Sequence, residues 1–355
     1  RTENYKRVQE KYEYVKEKME VENESESVKD AKTESEEVKK WISNLERCRE
    51  FYENYGKEMI HNKSLRELHD YPVAIDCFEG VQIKGGVCCF LLDSSYSGPC
   101  SVKTQLGNYT GTSLKRYFTD ESERIVIRYN ESLSIIQKVK KFKEKTMDLY
   151  VSRRIPFGLP TYFHGSKEKQ RPEMIRIYEN RGISYVSSDA IVKNRDVVDQ
   201  YKVFIPRSSD GSDFIPHVIL GIPFIGEPGT ACSETFNFIG PFKSREICEN
   251  VMQYISTKFF RFMAMQMKSS QSATKKLYSF VPVQNFNIKW TDEMLNKKYK
   301  LTKKEIKFID AMIRPMDLNS IEATKQTKKP PYQPYISFPE DCCAFPRQEV
   351  NPTSH

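Results

Sequence analysis

The sequence contains no uninterrupted apolar run approaching ~20 residues, the length a helix needs to cross a bilayer, and its N-terminus lacks the basic–apolar–small pattern of a secretory leader. It has nine cysteines, at positions 48, 77, 88, 89, 100, 232, 248, 342 and 343, an odd count with two vicinal pairs and no Cys-x-x-Cys. That is poor material for a disulfide framework or a zinc site. The five histidines never take a His-x-x-x-His or His-x-x-Glu spacing, so no helix turn presents two metal ligands. A soluble, cytoplasmic protein in a reducing compartment, without a structural metal, is the expectation.

Catalytic signatures are also lacking. No Gly-x-Gly follows a strand and opens a helix, so the close backbone approach that a nucleotide-like cofactor needs has no seat. An adenine methylase needs a polar residue followed by Pro-Pro-Tyr or Pro-Pro-Phe to hold a flipped base. The nearest string, Lys329-Pro330-Pro331-Tyr332, has Lys where an acceptor is required and lies in a Pro-rich tail, where it reads as a linker. The two-carboxylate-plus-lysine set of magnesium nucleases is matched only by Asp76 with Gln82-Ile83-Lys84, in which Gln replaces the central carboxylate. No nucleophile elbow and no phosphate-binding loop ending in Lys-Ser or Lys-Thr occurs.

What is present is a chain of 355 residues, 38% hydrophobic and 12% aromatic, long enough for one large or two ordinary cores. Its net charge of +8 is uneven: residues 1–60 hold 13 Lys/Arg against 16 Asp/Glu, so the cationic excess belongs to residues 61–355. Such an excess suits a polyanionic partner such as nucleic acid.

Residues 1–60 are free of Pro, and their apolar positions step by three and four, first Tyr5, Val8, Tyr12, Val15 and Met19, then Val38, Trp41, Leu45, Cys48 and Tyr52. Two amphipathic helices, broken around Val21–Ser27, are predicted, serving either as a docking arm for a helical partner or as a solvated face. From residue 61 the period changes. Strands are predicted over Leu65–Tyr71, Val81–Ile83 and Val87–Asp93, the last with a run over 87–92 so uniformly apolar that burial on both faces is expected. Further strands are read at Ile125–Ile127, Ser184–Val186, Lys202–Ile205 and Thr235–Ile239, with helices at about 131–147 and from Ser244 to Met267. Thr302 and Glu305 have capping-box spacing for a helix reaching Ile313, which Pro315 stops. Beyond Leu318 the chain turns Pro-rich and loses periodicity.

Two regions offer binding chemistry. Arg153 and Arg154 sit at the mouth of a loop stiffened by Pro156, Gly158 and Pro160, where guanidinium forks suit phosphate or a guanine edge; the plainer reading is a surface loop pairing with local carboxylates. Lys258, Arg261, Lys268, Lys275 and Lys276, with Gln271 among them, follow along and after a helix, a strip that suits a nucleic-acid backbone or simply solvent.

Several strings, in order and at matching spacing, resemble the region that follows the catalytic motif in type II restriction-modification adenine-specific DNA methyltransferases. They are Leu65–Tyr71 with Asp76-Cys77-Phe78 and Ile83–Cys88, Pro156–Thr161, Lys202–Pro206, Glu227–Thr230, Ile239–Phe242, Thr257–Phe262, and Phe280-Val281-Pro282 through Trp290-Thr291-Asp292 to Met312–Met316. The resemblance implies terminal strands of a methyltransferase-like sheet over 61–100 and a target-recognition domain over 101–317; with the charged helical arm over 1–60 and the Pro-rich tail over 318–355, the chain is expected to have an α+β fold. It further implies double-stranded DNA as ligand. S-adenosylmethionine would belong to a separate catalytic half or a longer parent, because nothing before Gly56 resembles the cofactor or catalytic motifs. Beginning at Arg1 and not Met, the chain is expected to be a fragment, a split subunit or a degenerate relative. The alternative to DNA recognition is a protein-interaction scaffold that works through the helical arm.

Overall fold

The computed structural model describes residues 63–78, 86–107, 109–117, 127–209, 215–268 and 273–318. The chain divides into two units, Arg1–Ile60 and His61–His355, and every described residue belongs to the second. The helical arm, the Val81–Ile83 strand, Gln271 and the tail beyond Leu318 therefore lie outside the described residues, as do Ile125 and Val126. Ile127 is buried but is not in a strand.

The fold is α+β. The first sheet contains β1 (Leu65–Tyr71), β2 (Val87–Leu92), β3 (Cys100–Leu106), β4 (Tyr109–Thr110) and β5 (Leu114–Arg116) in the order β2-β1-β3-β4, with β5 also on β3. β1 is antiparallel to β2 and parallel to β3, whose residues alternate buried and half-buried as expected for one covered face. This sheet runs across the boundary expected after residue 100. The expected burial of β2 is corrected: among the described residues it is an edge strand paired with β1 alone, and Phe90, Leu91 and Leu92 are 48%, 47% and 44% exposed. An apolar run shows that a strand avoids water. It does not say that this chain supplies the cover.

Beyond the first sheet come α1 (Asn130–Lys140), then β6 (Ile175–Glu179) and β7 (Gly182–Val186), a short helix α2 (Arg195–Val198), β8 (Tyr201–Pro206), β9 (Phe224–Gly226), β10 (Thr230–Cys232) and β11 (Phe236–Phe242). Helices α3 (Arg245–Ser256), α4 (Lys258–Met265), α5 (Asp292–Lys298) and α6 (Lys303–Met312) complete the described chain. α1 stops well short of residue 147: Lys141 caps it onto Gln137, and Lys143 takes a left-handed φ of 52° that no α-helix continues.

The single helix expected from Ser244 to Met267 is two. Thr257 leaves the helical region at φ −64°, ψ 147°, and its Oγ1 accepts the Phe260 N–H to start α4. The carboxylate of Asp292, far along the chain, accepts the N–H groups of Lys258 and Phe259. It thereby satisfies two more of the donors that every helix start leaves open, where the helix dipole favours an anion. The capping box at Thr302 and Glu305 forms as read from the sequence.

The sheet β9-β8-β11 separates two cores. Successive side chains of a strand point to opposite faces, so Val203 and Ile205 enter the larger core with α1, α3, α4 and α6, whereas Phe204 enters a smaller one with Phe157, Leu159, Ile177 and Val198. β11 divides in the same way, Ile239 to the first and Phe238 to the second. One end of this wall, where β8 finishes at Pro206 beside Phe236 of β11, carries the site described next.

Candidate nucleic-acid interface

The Arg153–Arg154 loop is held against that end by its backbone. Ser152 N–H donates to the Phe238 carbonyl at 2.9 Å, and Ser152 Oγ accepts from Phe238 N–H at 3.0 Å. Phe157 and Leu159 then plug into the smaller core, Asn194 Nδ2 donates to the Pro156 carbonyl, and Glu234 N–H donates to the Leu159 carbonyl at 2.8 Å. Gly158 has φ +85°, a left-handed conformation that side-chain-bearing residues resist. Ile155 takes φ 52°, an unfavourable conformation for a β-branched residue, and it turns the chain directly after the two arginines. Arg153 and Arg154 stand at the surface of this loop.

Glu234 lies beneath them. Its carboxylate, 6% exposed, accepts Arg154 Nε at 2.5 Å and also Arg207 Nη1. Arg207 follows β8, its N–H bound to the Thr235 carbonyl, and its own carbonyl accepts the N–H of Ala273 at 2.6 Å. Asn237 Nδ2 donates to the Ala273 carbonyl, so the start of the segment 273–278 is stitched to both β8 and β11. A 3-10 turn over Lys275–Tyr278 follows, anchored by buried Leu277 and Tyr278, with Lys276 exposed and Lys275 half-buried. The structure thus joins Arg154 and Arg207 through Glu234 at one end of the wall, with Arg153 exposed beside Arg154 in sequence, while Lys275 and Lys276 follow two and three residues after Ala273, which is tied to Arg207. It adds Arg207 and Glu234, which sequence reasoning missed. Arg207 had a weak signal, a cation directly after a strand that ends in Pro.

Other members of the expected strip are elsewhere or inside. Lys258, at the start of α4, pairs with Asp310 at 2.6 Å. Arg261 and Lys268 are corrections, because neither lies on a surface strip. Arg261 is buried and its guanidinium donates to the carbonyls of Thr257 (3.3 Å), Ser256 (3.0 Å) and Arg314 (2.5 Å); burial pushes it down to about 10. Lys268 is buried too, its Nζ bound to Ser209 Oγ at 2.7 Å and the Ile219 carbonyl at 2.6 Å. The apolar stripes of this region made Arg261 and Lys268 look like members of a polar face. A long cationic side chain can instead turn inward where carbonyls await it.

No family model matches the chain, and no curated protein sequence matches it. Chemistry must be read from the geometry. Among the described residues no group of three or more His, Cys, Asp or Glu side chains gathers where it could hold a metal ion, and no helix is long and apolar enough to cross a membrane. The turn from β11 into α3 is Lys243-Ser244, with Ser244 Oγ accepting the Ile247 N–H. What the site offers is fixed, outward-facing positive charge on rigid backbone.

Proposed function

We propose that this chain recognises double-stranded DNA as the target-reading part of an adenine-specific restriction-modification methyltransferase, and that it does no chemistry by itself. The observation that carries the reading is the meeting of Arg154 and Arg207 on Glu234 at the end of β8 and β11, with Arg153 exposed beside Arg154 in the same loop. Cations held there by pinned backbone meet a DNA backbone without much further ordering, and phosphate contacts fix the register from which groove contacts read sequence. In this reading S-adenosylmethionine and the base-flipping clamp belong to a catalytic half, to which this chain presents a target adenine. Strand β2 favours such a protein partner. Its apolar side chains are exposed at a sheet edge, the kind of surface that a further strand with flanking cover removes from water.

Fluorescence anisotropy with labelled duplex over a series of salt concentrations tests the reading. Affinity should fall steeply, with a log–log slope of about −0.9 for each phosphate contacted. Binding that ignores salt, or no binding, would refute it in favour of a protein-interaction scaffold.

A further inference from the structure

Two buried carboxylates stand at one end of the sheet β10-β6-β7. β10 and β6 run parallel, and past their last pair the Ser233 N–H donates to the Tyr178 carbonyl at 2.9 Å, so the residues that follow, Glu234 and Glu179, share that end. Each holds a side chain of one loop: Glu234 takes Arg154, and Glu179 Oε2 lies 3.0 Å from His164 Nδ1. The Glu179 side chain is 6% exposed and that of His164 34%. The backbone around the histidine is pinned. Phe163 N–H donates to the Pro160 carbonyl at 3.1 Å, and Ser166 and Tyr185 exchange both main-chain bonds, at 2.9 and 2.8 Å. Gly165 permits that close approach, since a Cβ there would stand 2.6 Å from the Tyr185 carbonyl oxygen. A carboxylate only accepts hydrogen bonds, so Nδ1 carries the proton and the neutral ring presents Nε2 as an acceptor. Nε2 takes no hydrogen bond among the described residues. Phosphate oxygens also only accept and offer this nitrogen nothing. In the major groove of a duplex its donors are the exocyclic amines, N6 of adenine and N4 of cytosine.

The geometry points to His164 as a base-reading residue, an acceptor for the exocyclic amine of adenine or cytosine in the major groove, with Glu179 as the residue that positions its ring. This assignment rests on the DNA-binding reading above and deepens it, because it places sequence discrimination at the far end of the loop that Arg153 and Arg154 begin. The β6–β7 hairpin turns through exposed Asn180 and Arg181 directly beyond Glu179, and a hairpin of two strands is of a width that the major groove admits. The plainer role for His164, balancing a buried carboxylate, leaves its outward nitrogen idle. The two roles differ in what they predict for base preference.

The test selects duplexes from a randomised DNA library with the full chain and sequences them, alongside binding over a salt series and thermal melting as a check on folding. The wild type should select a motif. His164→Ala should lower the preference for adenine or cytosine at one position of that motif about tenfold and leave the salt slope unchanged, since no phosphate contact is lost. Glu179→Gln should act at the same position. Its amide can donate to Nδ1 as well as accept from it, so Nε2 is no longer held as an acceptor, and preference there should fall and move toward guanine or thymine, whose edges accept. If His164→Ala does not fold, Glu179→Gln decides the matter, because it keeps the shape of the side chain and removes the buried charge. An unchanged motif in folded His164→Ala overturns the base-reading assignment while DNA binding stands, and so does a wild type that binds steeply in salt yet selects no motif. A motif that Glu179→Gln leaves unchanged, or weakens alike at every position, overturns the positioning role. If the wild type shows no salt-dependent binding, the assignment falls together with the reading on which it rests.

Discussion

Replacing Arg261 with Met separates a structural arginine from a DNA-binding one. The side chain is buried between α4 and the strand-like segment 312–314, which His217 holds from its other side: His217 N–H donates to the Met312 carbonyl at 2.7 Å and Arg314 N–H to the His217 carbonyl at 3.0 Å. Its three bonds reach the carbonyls of Ser256, Thr257 and Arg314. Hydrogen bonds from a charged donor are worth about 1.5–3 kcal/mol each. Against them stands the desolvation that pushes the guanidinium down to about 10. Met retains most of the volume and removes the buried charge, but it leaves the acceptors without their donor at about 1–3 kcal/mol apiece, partly relieved where Thr257 also accepts the Arg261 N–H. The expected net loss is about 2–5 kcal/mol. With a urea m-value of about 2–3 kcal/mol/M, the unfolding midpoint should fall by about 1–2 M at unchanged m. Arg261→Lys, reaching fewer carbonyls, should lie between. DNA affinity and salt slope, measured where the variant is folded, should stay at wild-type values. A midpoint within about 0.2 M of wild type would refute the packing argument. A slope shallower by about one in a folded variant would put this guanidinium on phosphate after all.

Three further outcomes are expected. Thr257→Ala removes the oxygen that starts α4 and should cost about 1–2 kcal/mol, read as a lower urea midpoint; an unchanged midpoint would mean that Asp292 alone holds the break. Burial by itself would raise the Glu305 carboxyl, but Lys138 Nζ at 2.6 Å, the Thr302 N–H at 2.7 Å and Ser134 Oγ at 2.8 Å outweigh it and hold it below its ordinary value of 4.5. Its contribution to stability is therefore present above the unfolded value and lost as pH falls through the lower folded one; Glu305→Gln should flatten that acid limb in melts, and an identical acid limb in both proteins would contradict the assignment. Leu91→Lys, on the exposed edge strand, should leave the melting temperature within about 2 °C and reduce self-association in light scattering; a large loss of stability would show that Leu91 is packed within this chain.

Local pattern was enough to place some elements. The change of period after residue 60 placed Leu65–Tyr71, Val203 and Ile205 marked the core of Tyr201–Pro206, and Thr302 with Glu305 announced the start of α6, because these signals depend only on neighbours in sequence. The convergence of Arg153 with Arg154 in a stiffened loop was legible for the same reason. What lies across from a residue was decided by tertiary structure. The break at Thr257 is completed by the Asp292 carboxylate, 35 residues along the chain, and no helical period records that. Arg261 and Lys268 have the sequence signature of a solvated strip, yet their donors reach carbonyls of Arg314 and Ile219, about 50 residues away in either direction, and so they lie inside. β2 reads as a central strand because hydrophobicity reports aversion to water and not the presence of a neighbour. Arg207 and Glu234, 27 residues apart, become a pair only when β8 and β11 align side by side. A sequence of this kind states which groups avoid water and which carry charge; only the folded chain decides which of those charges face outward, because that depends on acceptors brought in from distant segments.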